Sequence, residues 1–404
     1  MAPVGSYEAL HAAIDGGADA VYFGIGNLNM RARAAHTFAL SDMAIIVDIC
    51  QRHKIRSYLT VNTVVFDDEI VEMKMLLDLA REAGVSAIIA SDMAVITYAH
   101  HIGMEVHIST QCNITNIEAV RFFARYADVM VLAREVSLDK VAAMIQQIEN
   151  EHITGPSGQV ITIEIFAHGA LCMAVSGKCY LSLDNYNESA NRGLCLQLCR
   201  RPYKVFDTDG NTELSIDNAY IMSPKDLKTI DFIDKIIKAG VKVLKIEGRG
   251  RSADYVKTVT RIYKEAVEAC WTNQFTPERL QQWNEVLKTV YNRDFWDGYY
   301  LGQKMGEWAN QYGSKATKRK VYIGKVTNFF TKLNVAEIKI ETGTLYQNDA
   351  IMIMGQTTGV YEDTVSELRL DLAPVEKANK GQYCSIPTQS IVHRGDKVYR
   401  LEDA

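Results

Sequence analysis

Four of the chain's eight cysteines lie within 28 residues, and their spacing is the strongest chemical signal in the sequence. The pattern is C-x6-C-x15-C-x3-C, and only its second pair has the close spacing typical of structural zinc sites. The wider first gap favours an iron–sulfur cluster gripped by a longer loop, with zinc as the second interpretation and unliganded buried thiols as the third. The predicted ligands are Cys172, Cys179, Cys195 and Cys199, whereas Cys50, Cys112, Cys270 and Cys384 are predicted to be small core residues.

A conventional hydrolase is hard to assemble from these residues. The sequence has no HExxH metalloprotease helix and no G-x-S-x-G nucleophile elbow. His168 and Ser176 lie eight residues apart without an orienting acid, which is weak evidence for a Ser–His hydrolase. The formal net charge of −5 argues against indiscriminate binding to phosphate backbones, although local basic stretches surround Arg200, Arg249 and Lys318.

The elements that must position these groups follow one repeated pattern up to about residue 250. An amphipathic helix leads to a glycine and then to a short apolar strand, as in "EALHAAIDGGADAVYFG". This alternation predicts a parallel α/β sheet, and a truncated first strand at Met1–Val4 plus seven further strands favours a TIM (β/α)8-like barrel. The seven strands are predicted near 20–24, 57–63, 86–90, 105–109, 128–132, 161–167 and 242–247.

Chemistry in such barrels gathers at the carboxyl ends of the strands. The cysteine stretch interrupts the alternation between strands seven and eight, so residues 168–204 are predicted to form an insertion on that face. The other residues predicted there are Asn29, Arg31, Asn62, Ser91, 110–113, Arg134, Glu135, His168, Glu247 and Arg249.

Residues 1–311 are predicted to form the barrel domain, including a helical extension at 252–300. After a basic linker, short alternating strands with Gly, Asn and Asp turns predict a small antiparallel β-barrel at 320–404. No apolar run is long enough to span a bilayer, and the N-terminus has no secretory signal. We therefore expect a soluble, cytoplasmic protein.

The cysteine region also resembles a known family. The stretches "EIFAHGALCMAVSGKCYLS" and "NRGLCLQLCRRPY" are similar to the signature of peptidase family U32, whose members are often called collagenase-like proteases. The resemblance extends over most of residues 2–300 through blocks such as "VHISTQCNITN" and "KIEGRGRSADYV", and all four cysteines match. It implies a barrel carrying a four-cysteine 4Fe-4S cluster.

Well-understood relatives in that family are oxygen-independent hydroxylases. They act on a wobble uridine of tRNA with prephenate as a required metabolite, on a cytidine of ribosomal RNA, or on a ubiquinone precursor. The stretch from about residue 320 is similar to the β-barrel of the longer members and to domain two of translation elongation factors. Because small barrels often bind nucleic acid, this similarity favours the RNA-acting branch.

We therefore predict an iron–sulfur enzyme that hydroxylates an RNA base, foremost C5 of the wobble uridine in tRNA, with prephenate as co-substrate. The expected partner is tRNA or ribosomal RNA and not a membrane, and the sequence does not identify the electron donor. The alternatives are a ribosomal RNA cytidine hydroxylase, a collagenase-like peptidase, and a translation-linked binding module with a structural cluster.

Roles are predicted for nine residues beyond the cysteines. Planar guanidinium groups suit phosphates and carboxylates, so most of the predicted substrate-binding residues are arginines. For Glu247 and Arg249, an ion pair with each other at the barrel rim is the alternative to a catalytic role. The predicted catalytic residues are His168, Glu247 and Arg249, and the predicted substrate-binding residues are Arg31, Gln111, Arg134, Arg200, Arg201 and Arg251.

Overall fold

The computed structural model describes residues 1–32, 38–204, 220–302 and 306–404. Up to residue 302, the described chain alternates short buried strands with helices. The strands are β1 (Ala2–Pro3), β2 (Ala20–Phe23), β3 (Arg56–Val61), β4 (Ala87–Ala90), β5 (Val106–Ile108), β6 (Val129–Val131), β7 (Thr162–Gly169), β8 (Asp226–Lys228), β9 (Val243–Ile246) and β10 (Phe295–Trp296).

Strands β1 to β7 pair in chain order, each parallel to the next, and β9 then pairs parallel with β7. The backbone N–H of Ile246 in β9 donates to the carbonyl of Met1 at 3.2 Å, and the Met1 amine donates to Leu244 O at 2.8 Å. The backbone hydrogen bonds therefore continue from the last parallel strand to the first. The prediction of a parallel α/β sheet is confirmed, and each of these strands overlaps its predicted position.

Two short strands were not predicted. Strand β8 pairs antiparallel with the end of β7 and parallel with β10. Strand β10 lies in the stretch 252–300, for which only helices were expected. Runs of two or three paired residues carry no periodicity that the sequence could show.

Apart from α7, whose one buried residue is Ser182, the helices cover the outside of the parallel sheet and bury an apolar face. In α1, Ser6 accepts a hydrogen bond from the Ala9 N–H and so caps the helix, while Leu10 is buried. Helix α3 ends at Gly84, whose φ of 82° is the left-handed conformation that glycine adopts readily. The helices are α1 (Tyr7–Asp15), α2 (Asp42–Arg52), α3 (Ile70–Ala83), α4 (Met93–His101), α5 (Ile117–Phe123), α6 (Leu138–Asn150), α7 (Leu181–Tyr186), α8 (Ile233–Lys238), α9 (Ala253–Trp271) and α10 (Pro277–Thr289).

The remainder of the chain is a separate antiparallel β region with its own apolar core. In β12, buried and half-buried residues alternate along the strand, as expected for a sheet with one face on a core. Its strands are β11 (Lys318–Phe330), β12 (Val335–Ile340), β13 (Thr344–Tyr346), β14 (Ala350–Gly355), β15 (Gly359–Thr364), β16 (Arg369–Leu370), β17 (Ala373–Pro374), β18 (Lys377–Asn379), β19 (Tyr383–Pro387) and β20 (Lys397–Asp403).

This β region packs against α1 and α9 of the α/β region. A small apolar cluster joins Ala12, Ala253, Met352 and Val360, and the Lys257 ammonium donates to the Val360 carbonyl at 2.6 Å. The predicted division into domains at 1–311 and 320–404 stays a prediction. Within the described residues, no helix is both long enough and apolar enough to cross a membrane.

Candidate functional site

The carboxyl ends of the parallel strands surround a cavity of about 180 Å³. In β9 and just beyond it, the alternating residues Lys245, Glu247 and Arg249 line this cavity, as the two-residue period of a strand predicts. The cysteine segment, defined here as residues 170–204, forms the opposite wall and contributes all four predicted ligands. Its wall is built from turns and the short helix α7.

Glu247 is the acidic residue of this cavity among the described lining residues. Burial would raise its pKa, but the nearby guanidinium groups of Arg31, Arg134 and Arg249 lower it to about 2. Arg31 pairs directly with Glu247, and this carboxylate raises the pKa of the Arg31 guanidinium. Glu247 therefore pairs with Arg31 and not with Arg249, which the alternative prediction had named as its partner.

Arg249 is held by neutral partners. Its Nη1 atom donates to Asn29 Oδ1 at 3.1 Å and to Thr60 Oγ1 at 2.7 Å, and the residue is 8% exposed. Burial lowers its pKa to about 10. Gly24 makes room for this arrangement, because a Cβ atom there would lie 2.6 Å from Arg249 Nη1. The guanidinium therefore remains charged at neutral pH, with its position fixed and its charge uncompensated by these partners.

Arg134 is half-buried and has its guanidinium carbon 4.4 Å from the ring centroid of Phe166. Its buried Nε atom has no hydrogen-bond partner in the part of the chain that the structure describes. Gln111 lies beside it on the cavity wall, where its Oε1 atom accepts from Ser109 and, at 3.3 Å, from Asn62 Nδ2. Arg134 therefore offers donors to a ligand, whereas the Asn62 amide is engaged by the Met30 N–H, Ser109 and Gln111.

The four cysteines are brought together along one wall. Cys172 is exposed, and Cys179, Cys195 and Cys199 are half-buried. Burial raises the pKa of the Cys179 thiol, and the neighbouring Cys172 and Cys195 raise it further. Burial likewise raises the pKa of Cys199, and the other three cysteines add to that effect against a lowering by Arg200. The thiols are thus close enough to repel one another as thiolates.

The remaining cysteines lie elsewhere. Cys50 and Cys384 are buried, and burial raises the pKa of each to about 12. Burial also raises the pKa of Cys112 to about 12, and its thiol lies 3.5 Å from the Ser91 carbonyl. Cys270 is half-buried on helix α9. These four positions fit small packing residues.

Two arginines anchor the cysteine segment. Arg192 donates to both carboxylate oxygens of Glu69, which lies outside the segment. Arg200 donates to the carbonyls of Leu171 and, at 2.8 Å, Pro224. The position of Arg200 therefore corrects its predicted role in substrate binding: its donors satisfy backbone carbonyls of the protein.

His168 also lies away from the cavity. It is 1% exposed and packs between aromatic rings, with Nδ1 3.3 Å from the Tyr263 hydroxyl. Burial lowers its pKa to about 3, so the ring is neutral. Strict alternation after Glu164 and Phe166 would turn His168 inward, but the β7–β9 ladder is irregular between Phe166 and His168. This β-bulge turns the side chain outward, so the predicted catalytic role and a pairing with Ser176 do not fit the structure.

The two remaining predicted residues lie at the periphery. Arg201 is exposed and donates to the Tyr186 hydroxyl at 3.3 Å. Arg251 stacks 3.6 Å from the ring centroid of Tyr291 and lines an adjoining cavity of about 280 Å³. That second cavity shares Arg31, Cys195 and Glu247 with the first. Arg251 is therefore placed to contact a ligand that extends outward.

Lys245 and Tyr22 line the cavity floor, although neither was predicted to be a site residue. Lys245 is 5% exposed, and its ammonium lies 4.8 Å from the ring centroid of Tyr22. A lysine in the middle of the buried strand "VKVLKIEG" was the available signal, because a charged residue is rarely buried without a partner. The described lining residues include five basic residues and one acidic residue, and two of the five are paired: Arg31 with Glu247 and Lys245 with the buried Glu164. The other three are Arg134, Arg200 and Arg249, which give the cavity its positive charge.

The sequence is similar to proteins of one known family. The model of peptidase family U32 matches residues 5–310. A protein of Porphyromonas gingivalis named collagenase is 56% identical over 402 residues, which is 100% of this chain and 97% of the relative.

Other relatives carry names from RNA modification. The tRNA hydroxylation protein P1 of Bacillus subtilis is 33% identical over 81% of this chain and 77% of its own length. The 23S ribosomal RNA 5-hydroxycytidine synthase of Escherichia coli is 35% identical over 67% of this chain, but the match covers 39% of that longer protein. Both kinds of name, protease and RNA hydroxylase, therefore occur among similar proteins.

Proposed function

We propose that this chain, which belongs to peptidase family U32, is an iron–sulfur enzyme that hydroxylates a base in RNA. The observation that carries the proposal is the cavity itself, which is lined by four thiols and by the guanidinium groups of Arg134 and Arg249. The names of relatives at 33% and 35% identity support RNA as the substrate class. A thiol-lined, cationic cavity suits a redox group and an anionic ligand together.

The donor set favours a cluster over a single metal ion. Zinc would need four sulfurs at about 2.3 Å from one point, which places them nearly in contact. The described residues contain no group of three or more His, Cys, Asp or Glu side chains arranged to hold one metal ion. The four thiols nevertheless line one cavity and influence one another's pKa. Four thiolates that line one cavity are the donor set of a 4Fe-4S cluster, in which each cysteine holds a different iron.

When bound, such a cluster supplies one-electron chemistry that the side chains lack. The chain's own residues bind and orient the substrate. Arg249 is fixed by Asn29 and Thr60, and Arg134 has a buried donor that is not satisfied within the described protein. These two guanidinium groups would hold a phosphate or a carboxylate.

A base must leave its stack to enter this cavity, which is how enzymes reach base atoms. Arg134 and Gln111, whose Oε1 atom accepts from Ser109 and Asn62, line the space that the polar edge of the base would enter. The side chains of Glu247 and Arg31 neutralise each other beside the cysteine segment. They would fix the wall against which the base lies.

Within this class we propose C5 of the wobble uridine of tRNA as the target and prephenate as the co-substrate. Two carboxylates of prephenate match the surplus of guanidinium groups in the cavity. Modification of a cytidine in ribosomal RNA is the alternative within the same chemistry, supported by the relative from Escherichia coli. The proposed location is the cytoplasm, where both RNAs are found.

Nucleoside analysis tests the proposal. Digests of tRNA and ribosomal RNA from cells lacking the gene should contain a nucleoside that is one oxygen atom lighter than in the parent. The parental nucleoside should return with the intact gene and with Cys270→Ser, but not with Cys172→Ser. Unchanged nucleoside profiles in both RNAs would contradict the proposal.

A peptidase is the second candidate, because the relative at 56% identity is named collagenase. Peptide hydrolysis requires an activated nucleophile or a hydrolytic metal. Ser176 lines the cavity, but His168 lies outside it and is hydrogen-bonded to Tyr263. Cleavage of gelatin by iron-free protein, lost in Ser176→Ala, would favour this candidate over RNA hydroxylation.

A further inference from the structure

Below the cavity floor, a line of ionisable side chains continues into the interior of the parallel strands. Lys245 lines the cavity, and its ammonium lies 2.8 Å from Glu164 Oε1. Glu164 is 0% exposed and Lys245 is 5% exposed. The carboxylate therefore connects the cavity to the space beneath it.

The line continues to the opposite end of the strands. Glu164 Oε2 lies 3.9 Å from Nδ1 of His107, which is 1% exposed, and within the described chain neither atom has a hydrogen-bond partner. The other ring nitrogen of His107, Nε2, lies 2.8 Å from Glu105 Oε1. The Glu105 side chain is 28% exposed and pairs with Arg56.

The four side chains run from the carboxyl ends of the parallel strands to their amino ends. Glu105 immediately precedes β5, so it lies at the amino ends of the parallel strands, whereas the cavity lies at their carboxyl ends. Barrel interiors of this kind are usually filled with branched apolar side chains. Buried ionised groups carry a large desolvation cost, so an apolar filling would be the more stable solution. The polar line therefore calls for a functional explanation.

We propose that Lys245, Glu164, His107 and Glu105 form a path that exchanges protons between the cavity and solvent at the opposite end of the strands. The proposal deepens the proposed function and rests on it for the identity of the reaction that the protons serve. It assigns to Lys245 the contact with the cavity and to the other three residues the transfer.

The transfer balances without any change of oxidation state. Lys245 gives a proton to Glu164 and regains one from an acidic group in the cavity. The protonated Glu164 carboxyl group rotates, closes the 3.9 Å distance to His107 and protonates Nδ1. The proton on Nε2 passes to Glu105 and then to water. Exchange in the opposite direction restores the starting tautomer: Lys245 releases a proton to the cavity, Nδ1 returns its proton through Glu164 to Lys245, and Glu105 passes a proton from water to Nε2. Every residue ends with the protons with which it began.

Other charged or titratable groups surround this line. The Tyr58 ring from β3 lies 4.6 Å from the His107 ring, centroid to centroid, and Tyr22 from β2 contacts Lys245. Arg56 faces Glu105 from the start of β3. Burial raises the pKa of Glu105, but hydrogen bonds from His107 and Arg56 outweigh it and lower the pKa overall. Glu105 is therefore an ionised acceptor at the solvent end.

Nuclear magnetic resonance tests the path without any substrate. In full-length protein labelled with 15N-histidine, the His107 ring is assigned by comparison with His107→Gln. Despite its burial, its ring N–H should exchange rapidly with solvent, and Glu105→Gln should slow that exchange by about a hundredfold, the lower end of what a positioned acid–base group contributes. Glu105→Asp, which keeps a carboxylate, should restore most of the rate. Tyr58→Phe, which retains the ring contact, should leave it unchanged.

The hydroxylation assay then links the path to function. Glu164→Gln should lower the rate at which the oxygenated nucleoside forms about a hundredfold while iron content and RNA binding stay at the level of the intact protein. Equal exchange rates in intact protein and Glu105→Gln would overturn the path, whatever the nucleoside profile. If exchange responds as expected but the intact protein produces no oxygenated nucleoside, the proposed reaction fails and the path stands.

Discussion

The α/β region and the C-terminal β region bury different chemistry. Inside the parallel strands and above them lie Lys245, Glu164, His107 and Arg249, each at most 8% exposed. The core of the β region consists of apolar side chains such as Ile338, and its charged pairs lie at the surface.

This difference separates a functional interior from a structural one. Removing a charge from water destabilises the folded state even when a partner is present, whereas burying aliphatic groups stabilises it. The α/β region therefore carries a larger cost of this kind than the β region, where the buried Asp396 carboxylate accepts hydrogen bonds from the Thr358 hydroxyl and the His393 N–H. Such a cost is expected where charges must meet a ligand, which places the chemistry in the α/β region and gives the β region a supporting role.

The largest difference in stability between the two regions should appear when one lysine is replaced in each region. Lys245→Met leaves the fully buried Glu164 carboxylate uncompensated and should lower the free energy of unfolding by about 3–5 kcal/mol. Lys318→Met removes a pair whose carboxylate, on Asp403, is 90% exposed, so stability should stay nearly unchanged. Urea unfolding of both variants measures this. Equal losses would show that burial does not distinguish the regions.

Acid should destabilise the α/β region through His168. Burial lowers its pKa from 6.5 to about 3, so the folded ring stays neutral while an unfolded histidine takes up a proton. The stabilising effect of neutral His168 is present above pH of about 6.5 and is lost progressively as pH falls towards about 3. Between pH 7 and pH 5 the loss is about 2 kcal/mol, at 1.36 kcal/mol per pH unit.

The matched variants isolate this histidine. His168→Gln, which cannot titrate, should flatten the decline in stability between pH of about 7 and about 5. The exposed His101 serves as control, and His101→Gln should keep the slope of the intact protein. A slope in His168→Gln equal to that of the intact protein would show that other groups cause the acid sensitivity.

Within the α/β region, two arginines that line the cavity should differ in their effects on stability and on RNA binding. Arg200→Gln removes donors from the carbonyls of Leu171 and Pro224 and should cost about 1–2 kcal/mol in unfolding free energy. Arg134→Gln should change stability less and weaken RNA binding more, because its buried Nε atom is unsatisfied within the described protein. Denaturant unfolding and RNA titration separate the two effects. A larger stability loss in Arg134→Gln would reverse these assignments.

The smallest effect on the cavity should follow from removing the β region. A chain ending at residue 317 loses the contacts of Met352 and Val360 with Ala12 and Ala253, which lie far in sequence from the cysteines. It should keep its iron and bind tRNA several-fold more weakly, since the β region is expected to help hold RNA. Loss of iron in the shortened chain would place part of the cofactor site in the β region.

Sequence patterns located the strands well and the side-chain partners poorly. The β-branched runs, each preceded by a glycine or another helix end, predicted strands β2 to β7 and β9, because most residues of these strands are buried and form an apolar stretch. The cysteine spacing likewise picked out four residues that share one wall. These features depend on local sequence, which is available without the structure.

The errors have a common physical cause. The bulge after Phe166 turns His168 outward, and nothing in "EIFAHG" marks it. Arg31 instead of Arg249 pairs with Glu247, because the closing of the strands brings residues 216 positions apart into contact. Lys245 was overlooked because its partner, Glu164, lies on another strand. Partners set by long-range packing cannot be read from periodicity.

The central claim is that the four clustered cysteines hold one iron–sulfur cluster, and metal analysis tests it most directly. Anaerobically purified protein should contain about four iron atoms and about four acid-labile sulfides per chain. Cys179→Ser should lose both, whereas Cys270→Ser, at a half-buried position on helix α9, should retain both. One zinc per chain without sulfide, or iron that survives Cys179→Ser unchanged, would contradict the account.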